Sequence, residues 1–483
     1  MRGKIPSGFS RFGQTAETEY DRKVTTMARK DVLVSLILVV GILQADDKRW
    51  YTEGDFAPSK RLTVTIVNTL DIERFNCPVV ITREQFPVKK LHEMWVTVVD
   101  PSLPSKPEPT KEESAFAGGH GIRKETNGHQ IFYQLDDLDK DGVWDELFFQ
   151  TNLRPRESKT LYIYFGFSGR GWNEHGTHAT IGSYCRHIIP WWESANVGWK
   201  LWFPTSVDMY GKRKPILMSE EMCIHNYCGY YGVPKVNFDY GSDIMGVSSS
   251  FGAGGIGLFE LTSKPDSISV PRFTPVAGLK ISERNFNEDQ LTDTRYAFDV
   301  VVNGPVRSMI RVKTMNWSTG NGYYELGQFY TAYTNQSYST CKVKYTRFDP
   351  AVTGVQFGCG IKANTVEAEN LVEKGIAIRT GAELVADPDD DTGQKSHKVD
   401  FIGSALVVKD KYDPQYQRVS SYGNNHTFRI PLTPDRSFEY LIAGAWSEGV
   451  VYNTPESFKQ YVQKTALEYN NPVAVRFGEM EQK

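Results

Sequence analysis

The sequence predicts an all-β protein in which a small N-terminal β-sandwich-like region precedes a large antiparallel β-sandwich with few helices. Short runs that alternate apolar and polar residues recur along the chain between turns rich in glycine and proline, as β-strands do. Helical segments do not alternate with these runs, which argues against a parallel α/β sheet. The 483 residues exceed what one core usually fills, so two domains or one very large β unit are expected.

Residues 1–45 are interpreted as an upstream extension followed by a signal peptide. After the basic pair Arg29 and Lys30, an apolar run extends from Val32 to Leu43 and is followed by Gln44-Ala45. That run is too short for a comfortable transmembrane span and has the layout of a secretory signal. The mature chain is therefore expected to begin near Asp46, to contain no transmembrane span, and to be exported to the periplasm or beyond.

Residues 46–168 contain the strands of the predicted N-terminal region. They read RLTVTIVNTL, CPVVIT, MWVTVVD, QIFYQLD, DELFFQTNL and TLYIYFGF. A proline-rich piece beginning at Pro101 predicts a surface loop between them. A glycine-rich crossing then leads to the second region.

Residues 180–483 contain the longer strands predicted for the large sandwich. They include WKLWF, GIGLFEL, RYAFDVVV, SMIRVKTMNW, ELGQFYTAYT, STCKVKYTRF and KVDFIGSALVV. One helix is predicted near the end, with Thr454 as its cap, Pro455 in its first position, and an apolar face formed by Phe458, Tyr461, Val462 and Leu467.

The composition gives few further indications of function. The net charge of −3 gives no argument for a nucleic-acid partner. The six cysteines are few for this length, and Cys223 and Cys228 have no second pair with zinc-site spacing. Although an exported protein can form disulfides, we expect small buried apolar side chains here.

An acidic hairpin, DDLDKDGVWDELFF, is the sharpest local pattern. Asp137, Asp139, Asp141 and Asp145 are spaced so that their carboxylates converge, and Gly142 permits a sharp bend. Calcium prefers several such oxygen ligands, but the final glutamate of an EF-hand is absent and the flanks are predicted strands. A loop holding a structural calcium ion and a plain aspartate–glycine turn are equally open.

The run from His187 to Glu260 concentrates the residues suited to bind a sugar. Aromatic faces beside charged hydrogen-bonding groups match the apolar faces and polar edges of a sugar ring. Candidate substrate-binding residues are Trp192, Glu193, Trp199, Tyr227, Tyr231 and Asp243. For any one tryptophan of a β-protein, however, core packing is the more frequent role.

The same run contains the candidate catalytic residues. Lys212 and Arg213 lie in a turn and could bind a carboxylate or sulfate, although three basic residues in a row are usually a solvated surface turn. His225 beside Tyr230 could form an acid–base pair, with Tyr227 and Tyr231 as alternates. A lone histidine is more often a hydrogen-bonded structural residue. His120, in a glycine-rich loop, is a weaker substrate-binding candidate.

Several familiar catalytic motifs are absent from the sequence. It contains no serine-hydrolase elbow, no phosphate-cradling loop and no HExxH. The GAGG at Gly252 to Gly255 lies between β-like segments and lacks the helix that dinucleotide binding requires. It is interpreted as a place where backbones or a ligand approach closely.

The order of these features resembles a bacterial family of unknown function from polysaccharide-degradation loci. The resemblance rests on Asp137 to Leu147, the WE…GW block, Asp208 to Arg213, the His225 segment and Gly241 to Gly255. GPVRSMIRV and the closing NNPVAV add to it, so it covers most of the mature chain. That family is taken to include an ulvan-oligosaccharide dehydratase, and a supersandwich, mutarotase-like fold is the expected architecture.

The resemblance implies a lyase that removes water from the non-reducing-end uronic acid of an algal or plant oligosaccharide and leaves a 4,5-unsaturated sugar. In that reaction Lys212 and Arg213 would stabilise charge on the substrate carboxylate. His225 and Tyr230 would transfer the protons, and the mechanism requires no cofactor. The tryptophans would stack against the sugar, and Glu193 would hold its hydroxyls.

Two rival functions remain open. The same residues could serve a polysaccharide lyase that cleaves the chain by β-elimination. Alternatively, the protein binds carbohydrate without catalysis, in which case the aromatic residues matter and His225 does not. A mutarotase-like activity is a weaker option that depends on fold-level analogy alone. The sequence does not determine the oligomeric state.

Overall fold

The structure, a computed structural model, describes residues 49–116, 123–167, 174–184, 187–202, 206–218, 241–247, 250–260, 267–271, 292–363, 369–386 and 396–483. These residues form an antiparallel all-β protein, as predicted, with two α-helices where the sequence predicts one. The strands of the first part are β1 (Thr52–Glu53), β2 (Lys60–Val67), β3 (Arg74–Thr82), β4 (Val96–Asp100), β5 (Glu125–Thr126), β6 (His129–Gln130), β7 (Tyr133–Asp136), β8 (Glu146–Leu153) and β9 (Ser158–Phe165). Helix α1 (Lys111–Phe116) lies within the predicted proline-rich loop.

The remaining elements belong mainly to the large sandwich. The next six strands are β10 (Thr177–Tyr184), β11 (His187–Ser194), β12 (Val197–Trp202), β13 (Ser206–Lys212), β14 (Gly241–Asp243) and β15 (Gly255–Phe259). They are followed by β16 (Arg295–Asn303), β17 (Arg307–Ser318), β18 (Gly322–Tyr333), β19 (Tyr338–Pro350), β20 (Gln356–Lys362), β21 (Glu369–Glu373), β22 (Ile376–Ala386), β23 (Ser396–Val408), β24 (Gln415–Val419), β25 (Asn425–Ile430), β26 (Ser437–Trp446), helix α2 (Pro455–Asn470) and β27 (Ala474–Gln482).

Two sheets form the N-terminal sandwich. A five-stranded sheet in the order β27-β2-β9-β4-β6 packs on a three-stranded sheet in the order β3-β8-β7. Alternate residues of β2, namely Leu62, Val64 and Ile66, are buried between them, as the period of two requires. The last strand of the chain, β27, completes this sandwich by pairing along β2. The predicted second region thus contributes one strand to the first.

Three sheets build the large sandwich around one core. An eight-stranded sheet (β16-β17-β18-β19-β26-β23-β22-β21) contributes one face of that core. The opposite side is formed by the five-stranded sheet β10–β14 and by a four-stranded sheet in the order β15-β20-β25-β24. A parallel bridge between Val207 and Gly252 joins these two smaller sheets. The supersandwich expectation is consistent with this layering.

Helix α2 begins where the sequence predicts. Thr454 caps it in a reciprocal capping box with Ser457, and Pro455 occupies the first turn. Its buried face consists of Phe458, Tyr461, Val462, Thr465 and Ala466. Leu467 was predicted to share this face but is 44% exposed, because one residue beyond Ala466 turns about 100° around the helix axis.

The described cysteines behave as apolar side chains. Cys77, Cys341 and Cys359 are buried thiols without a disulfide, and burial raises the pKa of each. Within the described part of the chain, neither helix has the length and apolarity needed to cross a bilayer. The predicted signal peptide falls among residues 1–48, outside the described residues.

Candidate active site

The five-stranded sheet β10–β14 has two unlike faces. Because side chains alternate along a strand, Trp199, Val207 and Met209 enter the hydrophobic core while Lys200 and Asp208 point to the other side. The second face is therefore rich in ionisable groups that are nonetheless buried. A buried charge is expensive unless it is matched, so the partners of each group decide its role.

Trp192 and Trp199 are both fully buried core residues. Their rings stack with centroids 6.3 Å apart, and Trp192 also stacks on Tyr330 at 4.7 Å. The Trp192 indole N–H donates to the Ser339 hydroxyl at 2.8 Å. Core packing, the alternative weighed from the sequence, describes both residues. Their predicted role as a sugar-stacking surface does not fit this burial.

Lys212 and Glu193 form a closed, fully buried ion pair. The three N–H groups of the ammonium are taken by the Glu193 carboxylate, by the Ser194 carbonyl at 2.6 Å and by the Ile216 carbonyl at 2.7 Å. Burial alone would raise the pKa of the Glu193 carboxyl, but Lys212, His178 and the Met218 N–H hold it at about 2. Lys212 therefore has no donor left for a substrate carboxylate, and Glu193 is not exposed to sugar hydroxyls.

Arg213 lies on the opposite side from Lys212. Its guanidinium donates to Glu448 at 2.6 and 2.9 Å and to the Ser242 hydroxyl at 3.2 Å, and it lies 4.8 Å from the ring centroid of Trp446. Neighbouring residues of an extended chain point in opposite directions, so the two cations do not converge on one anion. The predicted pairing of Lys212 and Arg213 is corrected accordingly.

Asp243 belongs to a second ion cluster on this face. Lys200 lies 3.2 Å from Asp208 and 3.5 Å from Asp243, and it also donates to the Tyr210 hydroxyl. The Tyr210 hydroxyl is in turn 3.3 Å from Asp243. The side chains of Lys200 and Asp208 are 5% exposed, whereas Asp243 is 22% exposed. The cluster is therefore buried and open to solvent at Asp243.

The charges of this cluster leave Asp208 protonated at neutral pH. Burial and repulsion from Asp243 raise the pKa of the Asp208 carboxyl to about 8, although Lys200 opposes them. Burial also works against the Lys200 ammonium, but the two aspartates outweigh it and raise its pKa. A buried carboxyl that keeps its proton at pH 7 is suited to general-acid chemistry.

A histidine–tyrosine pair lies nearby on the four-stranded sheet. The Tyr416 hydroxyl is 2.8 Å from His426 Nδ1, and His426 Nε2 is 2.8 Å from the Asn370 amide oxygen. The shorter contact to the Asn370 oxygen favours a proton on Nε2 over acceptance from Arg418 Nη1 at 3.4 Å, and Nδ1 then accepts the proton of Tyr416. Burial, followed by the charges of Arg418 and Arg379, lowers the pKa of His426 to about 4. The imidazole is consequently neutral at pH 7.

Arg379 completes this group with donors that are not satisfied. It lies directly opposite Asn370 in the β21–β22 register, so the two side chains share a face. One guanidinium nitrogen donates to Glu383 at 2.6 Å. Nε and Nη1 are buried and have no hydrogen-bond partner within the described part of the chain. Leaving buried donors unpaired costs about 1–3 kcal/mol each, so such groups call for an explanation.

The pKa of Lys362 is affected both by Asp208 of the ion cluster and by Arg379. Burial and the charge of Arg379 lower its pKa, whereas Glu383 and Asp208 oppose that shift. The backbone N–H of Lys362 donates to the Gly252 carbonyl at 2.7 Å. Ala253, which follows Gly252 in the sequence, donates its N–H to the Val207 carbonyl at 2.7 Å. We refer to Lys200, Asp208, Asp243, Lys362, Arg379, Tyr416 and His426 as the polar end of the large sandwich.

The GAGG run makes this close approach possible. Gly252 has φ +60°, and a Cβ there would lie 2.1 Å from the Val207 carbonyl oxygen. Glycine alone adopts this conformation without strain and leaves room for the neighbouring chain. Of the two alternatives drawn from the sequence, close backbone approach is the one observed.

The acidic hairpin lies away from the polar end. Oxygen atoms of Asp137, Asp139 and Asp145 lie within 4.8 Å of one another, whereas Asp141 is not among them. Asp141 instead accepts from the Val143 N–H at 2.8 Å, and Lys140 and Gly142 adopt positive φ. Three convergent carboxylates fit the oxygen preference of calcium, so the calcium site stays a prediction with three carboxylates instead of four.

Five predicted site residues cannot be placed. His120, His225, Tyr227, Tyr230 and Tyr231 lie outside the described residues. Among the described residues, sequence reasoning missed Lys200, Lys362, Arg379, Tyr416 and His426. A local signal existed for Lys200, which is a charged residue within the otherwise apolar predicted strand WKLWF.

Comparison with known proteins identifies a family. A glycosyl hydrolase family 38 protein and an α-mannosidase of strain V583, both from Enterococcus faecalis, align with 87% of this chain at 9% identity, with TM-scores of 0.44 and 0.43. The chain spans about half the length of either, 47% and 46%. No curated protein matches it. The model of the family described as "Domain of unknown function (DUF4861)" matches residues 66–475, and the chain therefore belongs to the DUF4861 family.

Proposed function

We propose that this protein is a carbohydrate-active lyase that dehydrates the non-reducing-end uronic acid of an oligosaccharide to a 4,5-unsaturated sugar. The observation that carries the proposal is the composition of the polar end. A protonated carboxyl, a neutral histidine–tyrosine pair and an arginine with two unpaired donors lie within electrostatic reach of one another. Perturbed pKa values that differ between neighbouring groups are characteristic of acid–base sites.

The reaction requires three functions from the protein. The C5–H and C4–O bonds break, the C4=C5 bond forms, and water leaves with one added proton. Removal of the C5 proton builds charge toward the adjacent carboxylate, and a preorganised cation stabilises that charge. A base accepts the C5 proton, and an acid protonates the departing C4 hydroxyl.

Arg379 is proposed to bind the substrate carboxylate. Its Nε and Nη1 donors have no partner among the described residues, and a bidentate carboxylate is the natural acceptor for an arginine fork. Burial lowers the pKa of Arg379 and Glu383 opposes that effect, yet the group stays charged at neutral pH. Lys362 adds a second positive charge to the same region.

Tyr416 is proposed to act as the base, with His426 accepting its proton. Tyr416 is 41% exposed and so able to meet a sugar, whereas His426 is buried behind it. A bound carboxylate would offset the cations that depress the pKa of His426 and would make the imidazole a better acceptor. Asp208 is proposed as the acid. His225 and Tyr230 keep their predicted proton-transfer roles as an untested alternative.

Export would bring the protein to such a substrate. Polysaccharide fragments are met outside the cytoplasm, and residues 27–45 predict a secretory signal. Amino-terminal sequencing of protein recovered from the periplasm or the medium would show a start near Asp46. Recovery in the cytoplasm with residues 1–45 retained would contradict export.

The test is incubation with uronate-terminated oligosaccharides, followed by ultraviolet absorbance and mass. Dehydration predicts a new absorbance, the loss of one water and an unchanged number of sugars. Shortened chains that carry the double bond would instead identify a chain-cleaving lyase. Calorimetric binding with no double bond would identify a carbohydrate-binding protein, and both results would overturn the proposed dehydration.

A further inference from the structure

A separate cavity lies on the outer face of the eight-stranded sheet. It has a volume of about 560 Å³ and is bounded by β17, β18, β19 and β26, by β3 of the N-terminal sandwich, and by helix α2. The sheet residues that line it, such as Arg311, Phe329 and Lys342, alternate with residues that enter the main core. The cavity is therefore on the opposite side of this sheet from the polar end. Its volume lies within the range of small-molecule sites, about 300–1,000 Å³.

Most of the ionised groups around this cavity are matched. Arg307 is buried against Asp136 and Glu146. Burial lowers its pKa, but the charges of these two acids outweigh that effect, so the pKa of Arg307 is raised. Arg311 pairs with Asp299 at 2.7 Å, outside the cavity lining. Lys409 pairs with Glu439 at 2.6 Å. These pairs hold the walls together and leave little charge for a ligand.

Two lysines on β19 are not matched. Lys342 and Lys344 are exposed and line the cavity, and within the described ranges neither side chain has a hydrogen bond or an ion pair. Lys342 lies opposite Glu439 in the β19–β26 register and helps to lower the pKa of that carboxyl, but Glu439 is already bonded to Lys409. Two unmatched lysines therefore lie at the β19 wall, and Asp139 of the acidic hairpin lines another part of the cavity.

Arg74 adds a buried cation on the opposite wall. It is 1% exposed, and its Nη1 and Nη2 donate to Cys77 and to the Asn471 carbonyl. Its Nε is buried without a partner among the described residues. Its charge acts on Glu468, whose pKa is raised because burial outweighs the opposing charges of Lys464 and Arg74. The buried donor thus lines a cavity that also has two exposed cations.

Aromatic and hydroxyl groups supply the rest of the lining. Phe329 on β18 is the cross-strand neighbour of Lys342. Tyr469 on α2 has a buried hydroxyl with no hydrogen-bond partner in the described structure. An aromatic face, an unpaired hydroxyl and the two unmatched lysines together match a ring that has one apolar face, hydroxyl groups and an anionic substituent.

We propose that this cavity is an accessory site for one or two units of an acidic saccharide, held through a carboxylate or sulfate. The choice of a saccharide rests on the proposed function, whereas the requirement for an anion rests on the cavity itself. Lys342 and Lys344 attract the anion, Arg74 Nε and the Tyr469 hydroxyl donate to it or to its hydroxyl groups, and Phe329 packs on the ring. Binding here would hold an oligosaccharide on the enzyme without touching the polar end.

Calorimetry with a glucuronate disaccharide, its sulfated counterpart and a neutral disaccharide tests the proposal. Wild-type protein should bind the acidic sugars at two sites and the neutral sugar far more weakly. Lys342→Ala/Lys344→Ala should weaken the cavity site about tenfold or more, the usual cost of losing charge-assisted bonds. Lys313→Ala, an exposed lysine on β17 outside the lining, should leave both sites intact. Tyr469→Phe, which retains the ring, should weaken the cavity site alone.

The two proposals fail separately. If the double lysine variant binds acidic sugar with unchanged affinity and stoichiometry, or if the neutral sugar binds equally well, the cavity proposal is wrong whether or not turnover occurs. If no double bond forms but cavity binding is lost in the double variant, the proposed function is wrong and the cavity stands. Turnover by the double variant should equal that of wild type at saturating substrate.

Discussion

At the residue scale, buried charges in this protein differ in how fully they are satisfied. The Lys212 ammonium fills all three of its donors, whereas Arg379 leaves two buried donors unpaired. The first arrangement stabilises a fold, and the second lowers its stability in the absence of a ligand. That contrast is why we assign substrate binding to Arg379.

The raised pKa of Asp208 predicts that activity declines at high pH. A general acid must be protonated, and because the pKa of Asp208 is raised to about 8, kcat/KM should fall as pH rises through that value. His426 must be neutral, and with its pKa lowered to about 4 the rate should fall only below that pH. Asp208→Asn should lower turnover by roughly 10²–10⁴-fold, the usual contribution of proton transfer. A pH–rate profile without a decline above pH 8 would exclude Asp208 as the acid.

The Lys212–Glu193 pair predicts a stability effect. Lys212→Met removes the ammonium partner of the buried Glu193 carboxylate, which should reduce the free energy of unfolding by about 3–5 kcal/mol in chemical denaturation. The double variant Lys212→Met/Glu193→Gln should recover part of this loss, because no buried charge remains. A well-folded, stable single variant that has lost only substrate binding would show that Lys212 binds the substrate after all.

The residues of the polar end show why local sequence reasoning stopped short. Lys212 and Arg213 were grouped because they are adjacent in sequence, yet adjacency in an extended chain separates side chains to opposite faces. Arg379 and His426 come from strands far apart in the sequence and meet only through sheet register. No single segment carries that information.

At the scale of elements, the alternation of apolar and polar residues is sufficient to predict individual strands. The run RLTVTIVNTL became β2, and STCKVKYTRF became part of β19, because each alternation buries one face. QIFYQLD divides into the short strands β6 and β7, which join different sheets. Such a break depends on tertiary packing, so the alternation of the run does not reveal it.

The acidic hairpin predicts how calcium affects the stability of the protein. If calcium binds, free calcium at one hundred times Kd should stabilise the folded protein by about 2.7 kcal/mol and raise its Tm. Asp139→Asn should abolish that response. Asp141→Asn should retain it, because Asp141 lies outside the three converging carboxylates. Thermal unfolding that is indifferent to calcium would leave a plain aspartate–glycine turn as the correct interpretation.

At the scale of the whole molecule, the chain closes on itself. β27 pairs with β2, so Lys60 lies opposite Gln482, and Phe477 packs against Phe86 at 5.9 Å. The sequence shows two β regions in succession, but it does not show that the second region returns a strand to the first. Pairing between the ends of a chain has no local pattern to reveal it.

This closure predicts that the last strand controls the N-terminal sandwich. Phe477→Ala should destabilise the protein by somewhat less than the roughly 3–5 kcal/mol of a fully buried phenylalanine, because Phe477 is half-buried. Hydrogen exchange should then accelerate in β2 and β9. Glu479→Ala, an exposed change in the same strand, is the control. Equal exchange in both variants would mean that β27 is dispensable.

The central claim is that the polar end performs chemistry on an acidic sugar. The most direct measurement is the time course of absorbance and product mass with a uronate-terminated oligosaccharide, for wild type and Arg379→Gln. Wild type should form the unsaturated sugar with loss of one water, while the variant should fold normally and lose at least about 10²-fold in kcat/KM. Undiminished dehydration by Arg379→Gln would contradict that claim.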